Sequence, residues 1–170
     1  YRLINFYLST DTNSFVNYTN EVIALSLSRT ADAYLQNGLI DNAKYLFKES
    51  ILRAPFIVDF KLKLVSLYIN SKEFANALIL LDDLKSLNPR RKEVFLNYGF
   101  LYINLKEYDK AKKNLLLSLK FDPDYLLAYE NLALLCIKTN NIKNANSYLL
   151  KILEIAPNHK NANLLMKKIN

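Results

Sequence analysis

The sequence predicts an all-α solenoid of repeated helix pairs, and two observations carry that prediction. The first is spacing. The four prolines are Pro55, Pro89, Pro123 and Pro157, each 34 residues from the next. Self-similarity at a fixed period of roughly 20–50 residues marks a repeat architecture. The second is composition. Only two glycines and four prolines occur in 170 residues, whereas sheets need glycine at many turns. Helices joined by short connections are therefore expected. At 51% apolar and 23% charged residues, the chain can bury a core and still present a solvated surface.

The same period organises each element in turn. Ala43, Ala77, Ala111 and Ala145 share one register, and Phe47, Leu81, Leu115 and Leu149 another. Tyr34, Tyr68 and Tyr102 form a third, with Cys136 in the fourth slot, and Ile40, Phe74, Tyr108 and Ile142 form one more. Within 107–120, Tyr108, Ala111, Leu115 and Leu119 recur every three or four residues and make one stripe of an amphipathic helix. Lys110, Lys112 and Lys113 take its other faces. Each such helix should stop before its proline, because the residue preceding proline is pushed out of the α region. Asp124, after Pro123, is expected to cap the helix that follows. The register alanines are small where two helices approach closely.

At the amino end, Phe15, Tyr18 and Val22 continue the apolar stripe backwards, so the first helix is expected to start near Ser14 as N-cap. Residues 1–13 (Leu3, Ile4, Phe6, Tyr7 and Leu8, then a polar stretch) read as the end of a preceding element. At the carboxyl end, Leu164, Leu165, Met166 and Ile169 read as a terminal helix covering the last repeat, as stacked repeats require. A chain beginning at Tyr1 is expected to be a fragment or processed form, with any anchor or signal upstream.

These registers resemble the tetratricopeptide repeat, a 34-residue helix–turn–helix unit. Its pattern has a small residue at position eight, an alanine at twenty and a proline at thirty-two. The repeats would run 24–57, 58–91, 92–125 and 126–159, after an extension at 1–23 and before a capping helix at 160–170; 24–170 would be one domain. Position eight is Ala31, Val65, Gly99 and Ala133; Val65 is large for the pattern, and Lys61 stands at a fourth position where an aromatic is usual. The resemblance implies a right-handed α-solenoid of four helix pairs plus the cap, and a protein-interaction scaffold rather than an enzyme.

In this family the first helix of each repeat lines a concave groove through positions two, five, nine and twelve. Carried over, these are Leu25, Ser28, Asp32 and Leu35 in repeat one, and Asp59, Leu62, Ser66 and Ile69 in repeat two. Repeats three and four offer Glu93, Leu96, Phe100 and Ile103, then Leu127, Glu130, Leu134 and Ile137. The third and fourth first helices are apolar almost all round, and such a helix should be buried all round. The surplus face is read as a groove for an apolar or amphipathic, partly basic segment of another protein, with Asp59, Glu93 and Glu130 setting the charge preference. Three other covers stay open: the extra leucines are core, or residues 1–13 fill the groove, or a second copy of the chain does. The clamp by which some family members hold chaperone tails is missing, since its first two positions would be Ser28 and Asp32, or Leu62 and Ser66.

Catalytic and metal chemistry finds no carriers. His159 is expected to be a solvated turn residue, and Cys136 a small buried hydrophobe. No glycine-rich phosphate loop or nucleophile–base pair is present, and no cofactor is expected. The net charge of +7 suggests nucleic acid or an anionic membrane, through Arg90, Arg91 and Lys92 or the Lys110–Lys113 face. Sixteen interspersed acids and the missing stacking groove argue instead for a solvated face. The 21 asparagines and 18 lysines suggest a bacterial or other AT-rich source. No apolar run reaches the ~20 residues of a membrane span, so a soluble region is expected, in the cytoplasm or as part of an anchored or exported protein.

Overall fold

The computed structural model describes the backbone of residues 2–169 and the side chains of residues 14 and 16–169. The chain divides into two compact units, Tyr1–Leu67 and Tyr68–Asn170. Among the described residues every regular element is helical: α1 Arg2–Gln36, α2 Ile40–Arg53, α3 Val58–Asn70, α4 Phe74–Leu87, α5 Lys92–Asn104, α6 Tyr108–Phe121, α7 Leu126–Lys138, α8 Ile142–Ile155 and α9 Lys160–Ile169. The architecture is the all-α, solenoid-like one that the 34-residue period implies. Ile40, Phe74, Tyr108 and Ile142 each open a 14-residue helix.

The proline register sets where those helices stop. α2, α4, α6 and α8 are followed by the C-cap residues Ala54, Asn88, Asp122 and Ala156, each directly before a proline. All four cap residues have φ between −146° and −135° and positive ψ, the extended backbone that a following proline ring enforces. Each still donates its N–H to the carbonyl four residues back. The turn after the first helix of each pair has its own signature. Gly38, Lys72, Lys106 and Asn140 sit at φ 75°, 61°, 61° and 55°, one residue per period in the left-handed region.

Two expectations about helix ends are corrected. α1 begins at Arg2 and runs through Ser14 without a break. The polar stretch at 9–13 has neither glycine nor proline, and polar side chains alone do not stop a helix. Tyr18 and Val22, expected on a buried stripe, are exposed, while the side chains of 1–13 and Phe15 lie outside the described residues. Asp124 does not cap α7, whose N-cap is Tyr125 with no side-chain bond. The carboxylate that works there is Asp122, which accepts the Asp124 N–H at 3.2 Å and pairs with Lys92.

In the first unit, Ala24, Ala54 and Phe60 form a buried cluster with Ile51 and Ile57 against it. In the second, Ile103, Ala111, Leu115, Leu132 and Leu135 form one cluster, and Ala133, Leu149, Ile152 and Ala162 another. All four register alanines are fully buried. Gly99 shows how close the approach is: a Cβ there would meet Leu115 Cδ2 and Cγ at 2.5 Å. Val65 is itself fully buried, so the large residue at its position is accommodated. α9 lays Leu165, Met166 and Ile169 over the second cluster, but Leu164 points outward at 54% exposure.

Candidate functional site

Burial sorts the residues expected to line a binding face. Ile69 is 1% exposed and Ile103 8%, so both belong chiefly to the packing. Leu96 leans on the cluster around Leu115, and Leu62 and Ile137 are half-buried. Leu127 and Leu134 are exposed at 47% and 41%, and Phe100 is half-buried. On α5, Ile103 and Leu96 therefore belong to the packing. A smaller apolar surface remains outside.

That surface lies on α5, α7 and α9. Phe100, Ile103 and Asn104 of α5, Lys106 and Tyr108 of the following turn and helix start, and Asn131, Leu134 and Lys138 of α7 line a depression of about 350 Å³. A second depression of about 250 Å³ lies between Glu130, Asn131 and Leu134 of α7 and Asn161, Leu164 and Leu165 of α9. Asn131 and Leu134 line both, so the two form one strip. The residues sit there because first helices recur at 34-residue intervals with the same face turned out. α9, starting at Lys160, stands one period after α7, starting at Leu126. Asn104 and Asn131 tie their amides back to the Phe100 and Leu127 carbonyls at 2.9 and 2.8 Å, which fixes their place in the lining.

The acids expected to set a charge preference are engaged elsewhere. Glu93 pairs with Arg91 Nε at 3.3 Å. Glu130 accepts from Asn161 Nδ2 at 3.3 Å, with His159 Nε2 at 3.7 Å. Asp59 is exposed on α3 of the other unit, where Asp32 is held by Lys63 at 2.6 Å. His159 is not the solvated turn residue expected: it is half-buried, and its Nδ1 accepts the Ala162 N–H at 3.3 Å, capping the start of α9.

Leu164, Lys106 and Lys138 were not among the expected site residues. Extending the 34-residue register past 159 would have found Leu164, which follows Glu130 by one period. The lysines fall outside the four groove positions and carry no such signal.

A further depression of about 460 Å³ on α4, α5 and α6 is lined by Lys85, Tyr98, Tyr102, Lys110 and Lys113, with Asp82. Tyr98 and Tyr102 stack at 6.2 Å, but Lys85 and Lys110 lie over their rings at 5.7 and 5.4 Å. The Tyr98 hydroxyl donates to Asp82, and burial together with that carboxylate pushes its pKa well above the usual phenol range. Rings already covered by the protein's own cations are poor platforms for nucleobases. Cys136 is buried and its thiol pushed up by desolvation, which leaves little thiolate to act as a nucleophile. Among the described residues no group of three or more His, Cys, Asp or Glu is placed to hold a metal ion, and no helix is long and apolar enough to cross a membrane.

Comparison with known proteins agrees with this architecture. Residues 93–125 and 126–159 match the tetratricopeptide repeat family model. Similar solved structures include the thermophilic tetratricopeptide protein TTC0263 of Thermus thermophilus, at 24% identity and a TM-score of 0.78 over 86% of this chain and 80% of that one. PilF of Pseudomonas aeruginosa follows at 22% identity and a TM-score of 0.73, over 89% and 69% of the two chains. YrrB, described as having an unusual peptide-binding site, stands at 21% identity and 0.64, over 85% and 74%. No curated protein sequence matches significantly. The chain thus has the tetratricopeptide-repeat fold, with two of its repeats recognisable by sequence. Proteins of this fold generally mediate contacts between proteins and are typically not catalysts.

Proposed function

We propose that this chain is a protein-interaction scaffold that holds an amphipathic segment of another protein along the strip on α5, α7 and α9. The observation that carries the reading is continuity. Phe100, Leu134 and Leu164 offer apolar surface along two depressions that share Leu134, with asparagines from each of the three helices between them. An amphipathic helix or extended segment lays side chains into pockets at that kind of spacing. Burying ~500 Å² of apolar surface would gain about 12 kcal/mol at ~25 cal/mol/Å². Lost translational freedom and ordering of the segment return much of it, so micromolar affinity is expected.

Replacing Phe100 and Leu134 together by alanine tests this. Partner binding should fall by about tenfold or more as those side-chain contacts are lost, while circular dichroism stays helical and melting shifts little. Unfolding of the double variant would mean that both residues are core. Sedimentation of the pure chain separates a partner from a second copy, which would appear as a concentration-dependent dimer abolished by the same two changes.

A further inference from the structure

We infer that the segment held on this strip is acidic as well as apolar, which reverses the charge expected from sequence and rests on the site proposed above. The charged side chains lining the depression between α5 and α7 are Lys106 and Lys138. Both are exposed, and neither has an acidic partner among the described residues. The acid at the neighbouring depression is Glu130, whose side chain is only 13% exposed and already bound by Asn161. The charge left for a ligand to meet is therefore positive.

The lysines are also well placed. Lys106 stands on a turn fixed by two backbone bonds, its own N–H to the Ile103 carbonyl at 3.1 Å and the Glu107 N–H to the Tyr102 carbonyl at 2.9 Å. Lys138 ends α7, one turn beyond Leu134. Each long stem can lie along the apolar floor while its ammonium reaches water at the edge. An apolar residue seated between Phe100 and Leu134 would thus have a cation close by, and Asp or Glu beside that residue would find it. A basic segment would meet two like charges and no available acid.

The test is selection from a phage-displayed library of random 12-residue peptides against the 170-residue chain and against its Lys106→Glu/Lys138→Glu variant. The inference expects wild-type winners with Asp or Glu flanking apolar residues, and Lys or Arg replacing them on the variant. A synthetic wild-type winner should lose about tenfold in affinity on the variant, since an exposed ion pair contributes up to about fivefold. Its binding should also weaken as salt is raised. Winners with basic or uncharged flanks that bind both proteins alike overturn the inference. They leave the site standing if Phe100→Ala/Leu134→Ala abolishes their binding. Winners indifferent to that pair, or no enrichment at all, overturn the site reading as well.

Discussion

Gly99 has no room for a side chain: a Cβ there would meet Leu115 at 2.5 Å. Leu115 is fully buried, so it cannot swing away from a new methyl. Gly99→Ala should therefore cost about 1–3 kcal/mol through overpacking, read as a lower midpoint in urea with an unchanged slope. The left-handed turns make the opposite prediction. Lys72 holds φ 61°, which an L side chain occupies at a cost of about 1 kcal/mol that glycine avoids. Lys72→Gly should be neutral or stabilising by up to about 1 kcal/mol, and Gly38→Ala destabilising by a similar amount. The Lys92–Asp122 pair adds a pH dependence. The hydrogen bond from Lys92 holds the Asp122 carboxyl below its ordinary 3.8, helped by the Asp124 N–H. The folded chain then binds that proton less readily than the unfolded one. Its contribution is present above the ordinary value and is lost as pH falls through the lowered one. Between about pH 5 and about pH 3 the melting temperature should fall further in wild type than in Asp122→Asn, and equal falls would contradict the pairing. The packing alanines and the helix-stopping prolines were legible in the sequence because each repeats at 34. The capping role of His159 was not, since it depends on one ring nitrogen facing one N–H across a turn.

Within each unit, α1 pairs with α2, α5 with α6 and α7 with α8, because each of these second helices carries an alanine and a large apolar residue four apart on its inner side, as in Ala145 and Leu149, both fully buried. The terminal helix completes this logic. Ala162, Leu165, Met166 and Ile169 of α9 close over Ala133, Leu149 and Ile152. Removing residues 160–170 should cost on the order of 3 kcal/mol, the burial of one or two large side chains, and bring an increase in dye binding by exposed apolar surface. His159→Ala should fray α9 alone, visible as faster amide exchange at Ala162 with the core amides unaffected. The 34-residue period marks where the second helices open, at Ile40, Phe74, Tyr108 and Ile142, and where they stop, just before each proline. It failed at Ser14, where neither a proline nor a register residue stood. Along α5, periodicity could not divide core from surface, because a helix flanked by other helices buries Ile103 and leaves Phe100 partly open although both are apolar.

For the molecule as a whole, the fold sets out first helices at a constant interval, and the function proposed depends on what their outward faces share. In the second unit that shared face is apolar in the middle and positive at the edge, while the acids that the groove registers single out are turned to internal partners. Phe100 and Leu134, which sequence spacing singled out, line the strip, whereas the acids singled out with them are met by Arg91 and Asn161, contacts that form only in the folded chain. Site and charge together can be read from one experiment: methyl NMR of the chain labelled at leucine and isoleucine, titrated with a selected acidic-apolar peptide. The account predicts that the shifts concentrate at Ile103, Leu134 and Leu164, with Ile79 and Leu150 on second helices unmoved. Shifts confined to those second-helix methyls, with Leu134 silent, would contradict it.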